Sequence, residues 1–110
     1  MYLPFYCKFV NAAKYRGKDI SITLADLNDV WEKQNGICPF TGVKLVLPGW
    51  YAEKDYLYQA SVDRIDNNKG YVKDNIQFVS IMINYAKNKF DNNLLIEFCK
   101  LVANFWKDKI

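Results

Sequence analysis

The sequence predicts an α+β chain, with a hairpin-plus-helix core over about residues 59–90 and further helices towards both termini. Three observations carry this expectation. Gln59–Ile65 and Ile76–Val79 read as strands separated by a polar stretch, Asp66–Asn75, in which Asn67-Asn68-Lys69-Gly70 is a strong turn signal. Ser80 then stands where it can cap a helix running from Ile81 to about Lys89. On both sides of this unit, apolar residues recur at helical rather than strand spacing.

Taken in order, residues 4–16 alternate apolar and basic positions and predict a helix, with Phe5, Phe9 and Ala12 or Ala13 as its buried stripe. Gly17 is a natural stop for it, since glycine adopts a left-handed C-terminal conformation without strain. Ile20-Ser21-Ile22 is a short extended piece. Thr23 then reads as an N-cap with Asp26 three residues on, a weaker form of the capping box. Leu24, Leu27, Val30 and Trp31 follow as a core-facing stripe, and the helix runs to about Gln34 before Asn35-Gly36.

Cys38-Pro39-Phe40-Thr41-Gly42 is a turn, and Lys44–Leu47 is expected to be a strand ending at Pro48-Gly49. Trp50, Tyr51, Tyr56 and Tyr58 mark an aromatic-rich loop or irregular hairpin over 49–58, read as packing over the core edge in preference to stacking on bases. Asp91 caps the last helix. Its wide apolar face (Leu94, Leu95, Phe98, Leu101, Val102, Phe105, Trp106) is expected to be buried against the rest of the chain.

Composition bounds the function. With 110 residues, 51% of them apolar and 16% aromatic, the chain is expected to be one globular domain over 1–110, not a disordered one. No run of eighteen apolar residues and no leader-like N-terminus stand out, so neither a membrane span nor a signal peptide is expected. Cys7, Cys38 and Cys99 are far apart, no CxxC pair occurs, and there is no histidine. Structural zinc is therefore not expected. The odd cysteine count fits a reducing, cytoplasmic compartment, with the thiols packed in the core. A net charge of +3 permits a polyanionic partner without demanding one. Lys14, Arg16 and Lys18 cluster near the N-terminus, and Lys87 and Lys89 follow the core helix.

The chemistry-bearing residues lie in the central segment. Alternation places Ser61, Asp63 and Ile65 on one strand face. Asp63 offers a carboxylate and Asn84 an amide oxygen from the helix. These are hard donors suited to Mg2+ (or Mn2+), with water and phosphate oxygens completing the shell. The plainer reading of Asp63 is a partner for Arg64 or a lysine, and that of Asn84 an ordinary polar helix residue. Asp66 reads equally as the residue that starts the turn.

Several pieces occur in a fixed order: Thr23–Trp31 as Thr-Leu-x-x-Leu-x-x-x-Trp, Gln34–Gly42 as Gln-x-Gly-x-Cys-x-x-Thr-Gly, and Ser61–Tyr71 as Ser-x-Asp-Arg-Ile-Asp-x-x-x-Gly-Tyr. Asn75–Val79 then reads Asn-x-Gln-x-Val and Asn84–Lys87 reads Asn-x-x-Lys. In this order and spacing the chain resembles the HNH endonuclease family of ββα-metal nucleases, in a phage- and virus-associated branch. The resemblance implies a ββα-metal core and a metal-dependent endonuclease whose partner is a nucleic acid, expected to be DNA. It implies that Asp63 and Asn84 hold the metal and that Asn75 braces the loop. Lys87 would reach a phosphate one helical turn further on.

Arg64 stands where the common version of the motif has its histidine base. An arginine stays protonated near neutral pH and can clamp a phosphate or stabilise a transition state, but cannot accept a proton. Asp66 is then the substitute base, with Tyr71 as second candidate. Lys14, Arg16, Lys18, Lys69, Lys73 and Lys87 would contact the nucleic-acid backbone. The alternative is a nucleic-acid-binding module that keeps this surface without catalysis. A protein-interaction domain is the third reading. A compact nuclease of this kind works either alone or as a homodimer that cuts both strands, and the sequence leaves both open.

Overall fold

The computed structural model describes residues 3–15, 17, 20–48 and 54–110. Arg16, Lys18, Trp50 and Tyr51 lie outside these residues, as does the side chain of Phe5. In chain order the elements are α1 (Leu3–Tyr15), β1 (Ile20–Ser21), α2 (Leu24–Lys33), β2 (Ala60–Arg64), β3 (Tyr71–Val72), a 3-10 turn (Lys73–Asn75), β4 (Ile76–Ser80), α3 (Ile81–Lys87) and α4 (Asn92–Trp106). The described chain is thus mixed α+β, four helices with two small sheets. None of its helices is long and apolar enough to cross a membrane.

Local chemistry sets the helix ends. The Thr23 hydroxyl accepts from the Asp26 amide at 3.1 Å while the Asp26 carboxylate accepts from the Thr23 amide at 3.0 Å, closing a reciprocal capping box at the start of α2. Asp91 caps α4 by accepting from the Leu94 amide at 2.8 Å. The Ser80 hydroxyl accepts from the Ile83 amide at 3.4 Å at the start of α3. After α2 the chain turns through Asn35 (φ 54) and Gly36 (φ 65), both left-handed. A Cβ at Gly36 would come within 3.0 Å of Trp31 Cζ2, so the turn presses directly on that indole.

β2 and β4 pair antiparallel in the register Ala60↔Ser80, Val62↔Phe78, Asp63↔Gln77, Arg64↔Ile76. Val62, Phe78 and Val79 are buried with Leu27, Leu45, Cys38 and Leu95 in the core. Trp31 meets Phe78 edge-on at 5.0 Å between ring centroids. The outer edge of β4 is closed by a side chain. Gln34 Oε1 accepts from the Phe78 amide at 2.8 Å and its Nε2 donates to the Phe78 carbonyl at 2.9 Å, as a neighbouring strand would.

The stretch between the hairpin strands is more ordered than a plain loop. Its end forms β3, which pairs parallel with β1 through Ile20↔Tyr71 and Ser21↔Val72. The Phe9 ring then packs edge-on against Tyr71 at 4.9 Å, fixing α1 to this second sheet.

Three expectations are corrected. Lys44–Leu47 is not a strand: it makes the isolated bridges Ile37↔Lys44 and Val46↔Gln59, because no continuous strand runs beside it. Cys7 and Cys99 are exposed, and Cys38 is buried. The last helix is not buried against the body. Leu95 is its buried residue, while Phe98, Leu101 and Phe105 stand in solvent, because α4 leaves α3 at Asn88–Asp91 and is covered along one stripe alone.

Candidate functional site

The site is built where α3 crosses the inner face of β2. Ser61 and Asp63 point from the same face of the strand, and Asn84 and Lys87, three residues apart, point from the facing side of the helix. Asn84 Nδ2 donates to Ser61 Oγ at 2.7 Å and to the Val62 carbonyl at 3.2 Å. Lys87 Nζ donates to Asp63 Oδ2 at 2.7 Å and also to the Arg64 carbonyl. Gln77, directly across the hairpin from Asp63, adds a second donor to the same oxygen at 2.9 Å.

The ion pair is sealed: Lys87 is 0% and Asp63 4% exposed. A buried pair with satisfied hydrogen bonds holds its geometry, whereas either charge left alone there is strongly unfavourable. Lys87 is therefore not placed to reach a phosphate, which differs from the expectation. Its ammonium is instead the counter-charge of Asp63.

Two oxygens remain available. Within the described residues neither Asp63 Oδ1 nor Asn84 Oδ1 carries a hydrogen bond, and neither is fully shut off from solvent. One carboxylate and one amide oxygen are hard donors that fit Mg2+ or Mn2+ better than a softer metal. The charge they offer is small, because Lys87 already neutralises Asp63. No group of three or more His, Cys, Asp or Glu side chains gathers among the described residues. Asn84, Ser61 and Val62 open onto a cleft of about 300 Å³ that Phe9 and Lys54 also line. Lys54 Nζ donates to the Tyr85 hydroxyl at 3.1 Å. That bond, reinforced by the nearby Tyr85 and Tyr56 phenols, raises its pKa above the ordinary lysine value.

The connecting loop is braced from several sides. Asn75, buried at the foot of β4, accepts from the Asp66 amide at 2.8 Å and donates to the carbonyls of Asp66 at 3.1 Å and Gly70 at 2.9 Å. Arg64 Nη1 donates to the carbonyls of Asn67 at 3.0 Å and Lys69 at 3.1 Å, with its guanidinium carbon 5.6 Å from the Tyr71 ring centre. Asn67 Nδ2 ties the loop to the Phe90 carbonyl at 2.9 Å. Asp66 Oδ1 accepts from the Asn68 amide at 2.9 Å, which is the turn-starting role. Its other oxygen carries no hydrogen bond among the described residues.

The structure thus brings Asp63, Asn84 and Lys87 together, and sets Arg64, Asp66, Tyr71 and Asn75 around the adjoining loop. Tyr71 is buried beneath Arg64 and beside Phe9. Lys14, Lys69 and Lys73 are exposed. Sequence reasoning missed Gln77 and Ser61 as partners of the site residues. The hairpin register could have pointed to Gln77, and shared strand parity with Asp63 to Ser61. It also left Gln34 without a role, although that glutamine opens one of the ordered motifs. Protein-family models, curated proteins and solved structures offer no match to this chain.

Proposed function

We propose that the chain is a metal-dependent endonuclease domain of HNH type that hydrolyses phosphodiester bonds in DNA. One observation carries this reading: the helix amide of Asn84 is hydrogen-bonded to Ser61 and Val62, immediately beside Asp63 on the strand. A carboxylate on β2 and an amide oxygen on the facing side of α3 are thereby fixed by separate hydrogen bonds, with an open oxygen on each. A bound Mg2+ (or Mn2+) supplies charge neutralisation at the scissile phosphate and at the leaving oxygen.

The chain's own residues divide the remaining work. Asp63 and Asn84 hold the cation. Asp66 keeps one oxygen in the turn and has the other available to take a proton from water. A carboxylate is a poorer proton acceptor than an imidazole, so this step contributes less to rate than a histidine base would. Arg64 spends Nη1 on loop carbonyls, leaving Nη2 and Nε to meet phosphate oxygens. Tyr71, under that guanidinium, is the second base candidate. Lys14, Lys69 and Lys73 are exposed cations suited to the backbone of the nucleic acid.

A second reading, a DNA-binding module without catalysis, is favoured by the Asp63–Lys87 pair. An internal ammonium there supplies the positive charge that a metal otherwise brings. Plasmid nicking separates the two. Supercoiled DNA is incubated with wild type, Asp63→Ala and Asp66→Ala in Mg2+, Mn2+ and EDTA. Metal-dependent nicking by wild type alone supports the nuclease. No cutting by wild type under any condition, with salt-sensitive retardation of DNA in gels, replaces it by the binding module.

A further inference from the structure

The outer face of α4 is the largest feature the proposed function leaves unused. Leu94, Phe98, Leu101 and Phe105 recur at spacings of four, three and four, so they form one straight stripe along the helix. With Phe90 and Val102 beside it, the stripe is 45% to 65% exposed at every residue. On the side turned towards the body, Leu95, Ile96, Cys99 and Ala103 line a cleft of about 310 Å³ with Phe40 and Thr41, and Leu95 is the buried one of these four helix residues. The polar side carries Glu97, Lys100 and Asn104, and the helix has no net charge. A helix of 15 residues is marginal in water without packing along its apolar face. The Cα radius of gyration, 14.5 Å, exceeds the roughly 13 Å of a compact chain of this length, in keeping with a helix that leaves one long side uncovered.

We propose that this face docks a second copy of the chain, α4 against α4 in antiparallel order about a twofold axis. Two observations name the occupant. First, the face complements itself. At its N-terminal end Ala86, Phe90, Leu94, Leu95 and Phe98 line an apolar groove of about 450 Å³. At its C-terminal end stands a protruding ring pair, Phe105 and Trp106, with centroids 5.4 Å apart. Antiparallel pairing puts the Phe105 of each copy opposite the Leu94 groove of the other, and sets Phe98 against Leu101 on either side of the axis, an isologous contact. Second, the area fits. Three phenylalanines of about 200 Å² each, with two leucines and a valine, all 45% to 65% exposed, present several hundred Å² of apolar surface, comparable with the roughly 500 Å² apolar share of an interface of about 800 Å² per partner. A patch of that extent lies towards the upper end of the range for a monomer. Because the helix is neutral, the chain's net charge of +3 raises no local barrier to this approach. The inference stands independently of any nuclease activity.

The test is the solution mass of the full chain, 12.9 kDa per protomer, measured by light scattering across micromolar concentrations. Wild type is expected to run as a dimer with a micromolar or tighter dissociation constant. Leu101→Glu, which buries two carboxylates at the axis, is expected to weaken association by about 100-fold or more. Leu101→Ser removes the apolar bulk without a charge and should dissociate the dimer while the protomer keeps a cooperative thermal unfolding transition. Asn104→Glu makes the same charge change on the polar side and should remain dimeric. Wild type at protomer mass throughout, Leu101→Ser as dimeric as wild type, or Asn104→Glu dissociating equally would each overturn the proposal. A wild type held at protomer mass by bound detergent or lipid counts against it in the same way.

Discussion

Replacing Lys87 by methionine keeps the length and apolar stem of the side chain but removes the ammonium. Asp63 is then left with Gln77 Nε2 as its donor, at 2.9 Å, in a site where its side chain is 5% exposed. So little solvent reaches the carboxylate that water can replace only a small part of the lost interaction. Breaking a buried pair from one side costs about 3–5 kcal/mol. For a chain of 110 residues, an unfolding entropy of about 2.1 cal/mol/K per residue converts this to a fall of roughly 15 °C in Tm. Adding Asp63→Asn to Lys87→Met removes the stranded charge and should recover about 1–2 kcal/mol, a coupling that a double-mutant cycle reads directly. Thermal and urea unfolding supply all four corners of the cycle. A loss below about 1 kcal/mol for Lys87→Met would refute the reasoning, since an exposed pair is worth no more than that. The same variant probes the cation site by stability instead of activity. If Asp63 and Asn84 accept Mg2+ or Mn2+, the metal should restore about 2.7 kcal/mol to Lys87→Met at a hundredfold excess over its dissociation constant. Wild type should gain less, because its ammonium already occupies the carboxylate.

Other expectations follow from single contacts. Asn75→Ala strands the Asp66 amide and the carbonyls of Asp66 and Gly70. It should destabilise by about 2–3 kcal/mol, with hydrogen exchange speeding up first at residues 66–75. Gly36→Ala forces a Cβ into left-handed backbone and against Trp31. A loss of about 2 kcal/mol, accompanied by a shift in tryptophan fluorescence, is expected. Phe78→Ala empties the centre of the core, where the ring is 0% exposed and meets Trp31. It should cost about 3–5 kcal/mol in urea unfolding.

Much of the fold was legible because its signals are local. The capping residues Thr23, Ser80 and Asp91 act within four residues of themselves, so sequence alone places the helix starts they set. The β2–β4 hairpin was legible from two short strands on either side of a turn-forming run. What failed was non-local. β3 owes its existence to Ile20 and Ser21, some fifty residues upstream, and no pattern within the loop announces that pairing. Lys44–Leu47 has strand-like residues but lacks a continuous partner, and an unpaired segment is not a strand however suitable its composition. The wide face of α4 was read as a buried one because periodicity reports that a face is apolar and is silent on what covers it. The site shows the same division. Asp63 and Asn84 were visible as hard-oxygen donors, whereas Lys87 was expected to reach a phosphate. Its spacing of three from Asn84 already placed it on the strand-facing side, and Asp63 was its nearest carboxylate there.

Lys87 also decides how the absence of histidine should be understood. An internal ammonium on Asp63 lets the hairpin and α3 pack with no metal present, so the wild-type fold should unfold at the same temperature with and without EDTA. A cation recruited to Asp63 must either share the carboxylate with Lys87 or release it. Sharing keeps Lys87 buried and metal affinity weak, because like charges meet in a site that excludes water. Release frees a flexible four-carbon side chain to reach a phosphate, the role the sequence suggested. The two routes differ in whether Lys87 can be modified. Amine acetylation followed by peptide mass spectrometry should find Lys87 protected in EDTA, against ready labelling at the exposed Lys69 and Lys73. If release operates, Mn2+ with DNA will raise Lys87 labelling to the level of those loop lysines. Continued protection under cutting conditions would leave Lys87 as a fixed counter-charge, and Arg64 as the cation nearest the phosphate.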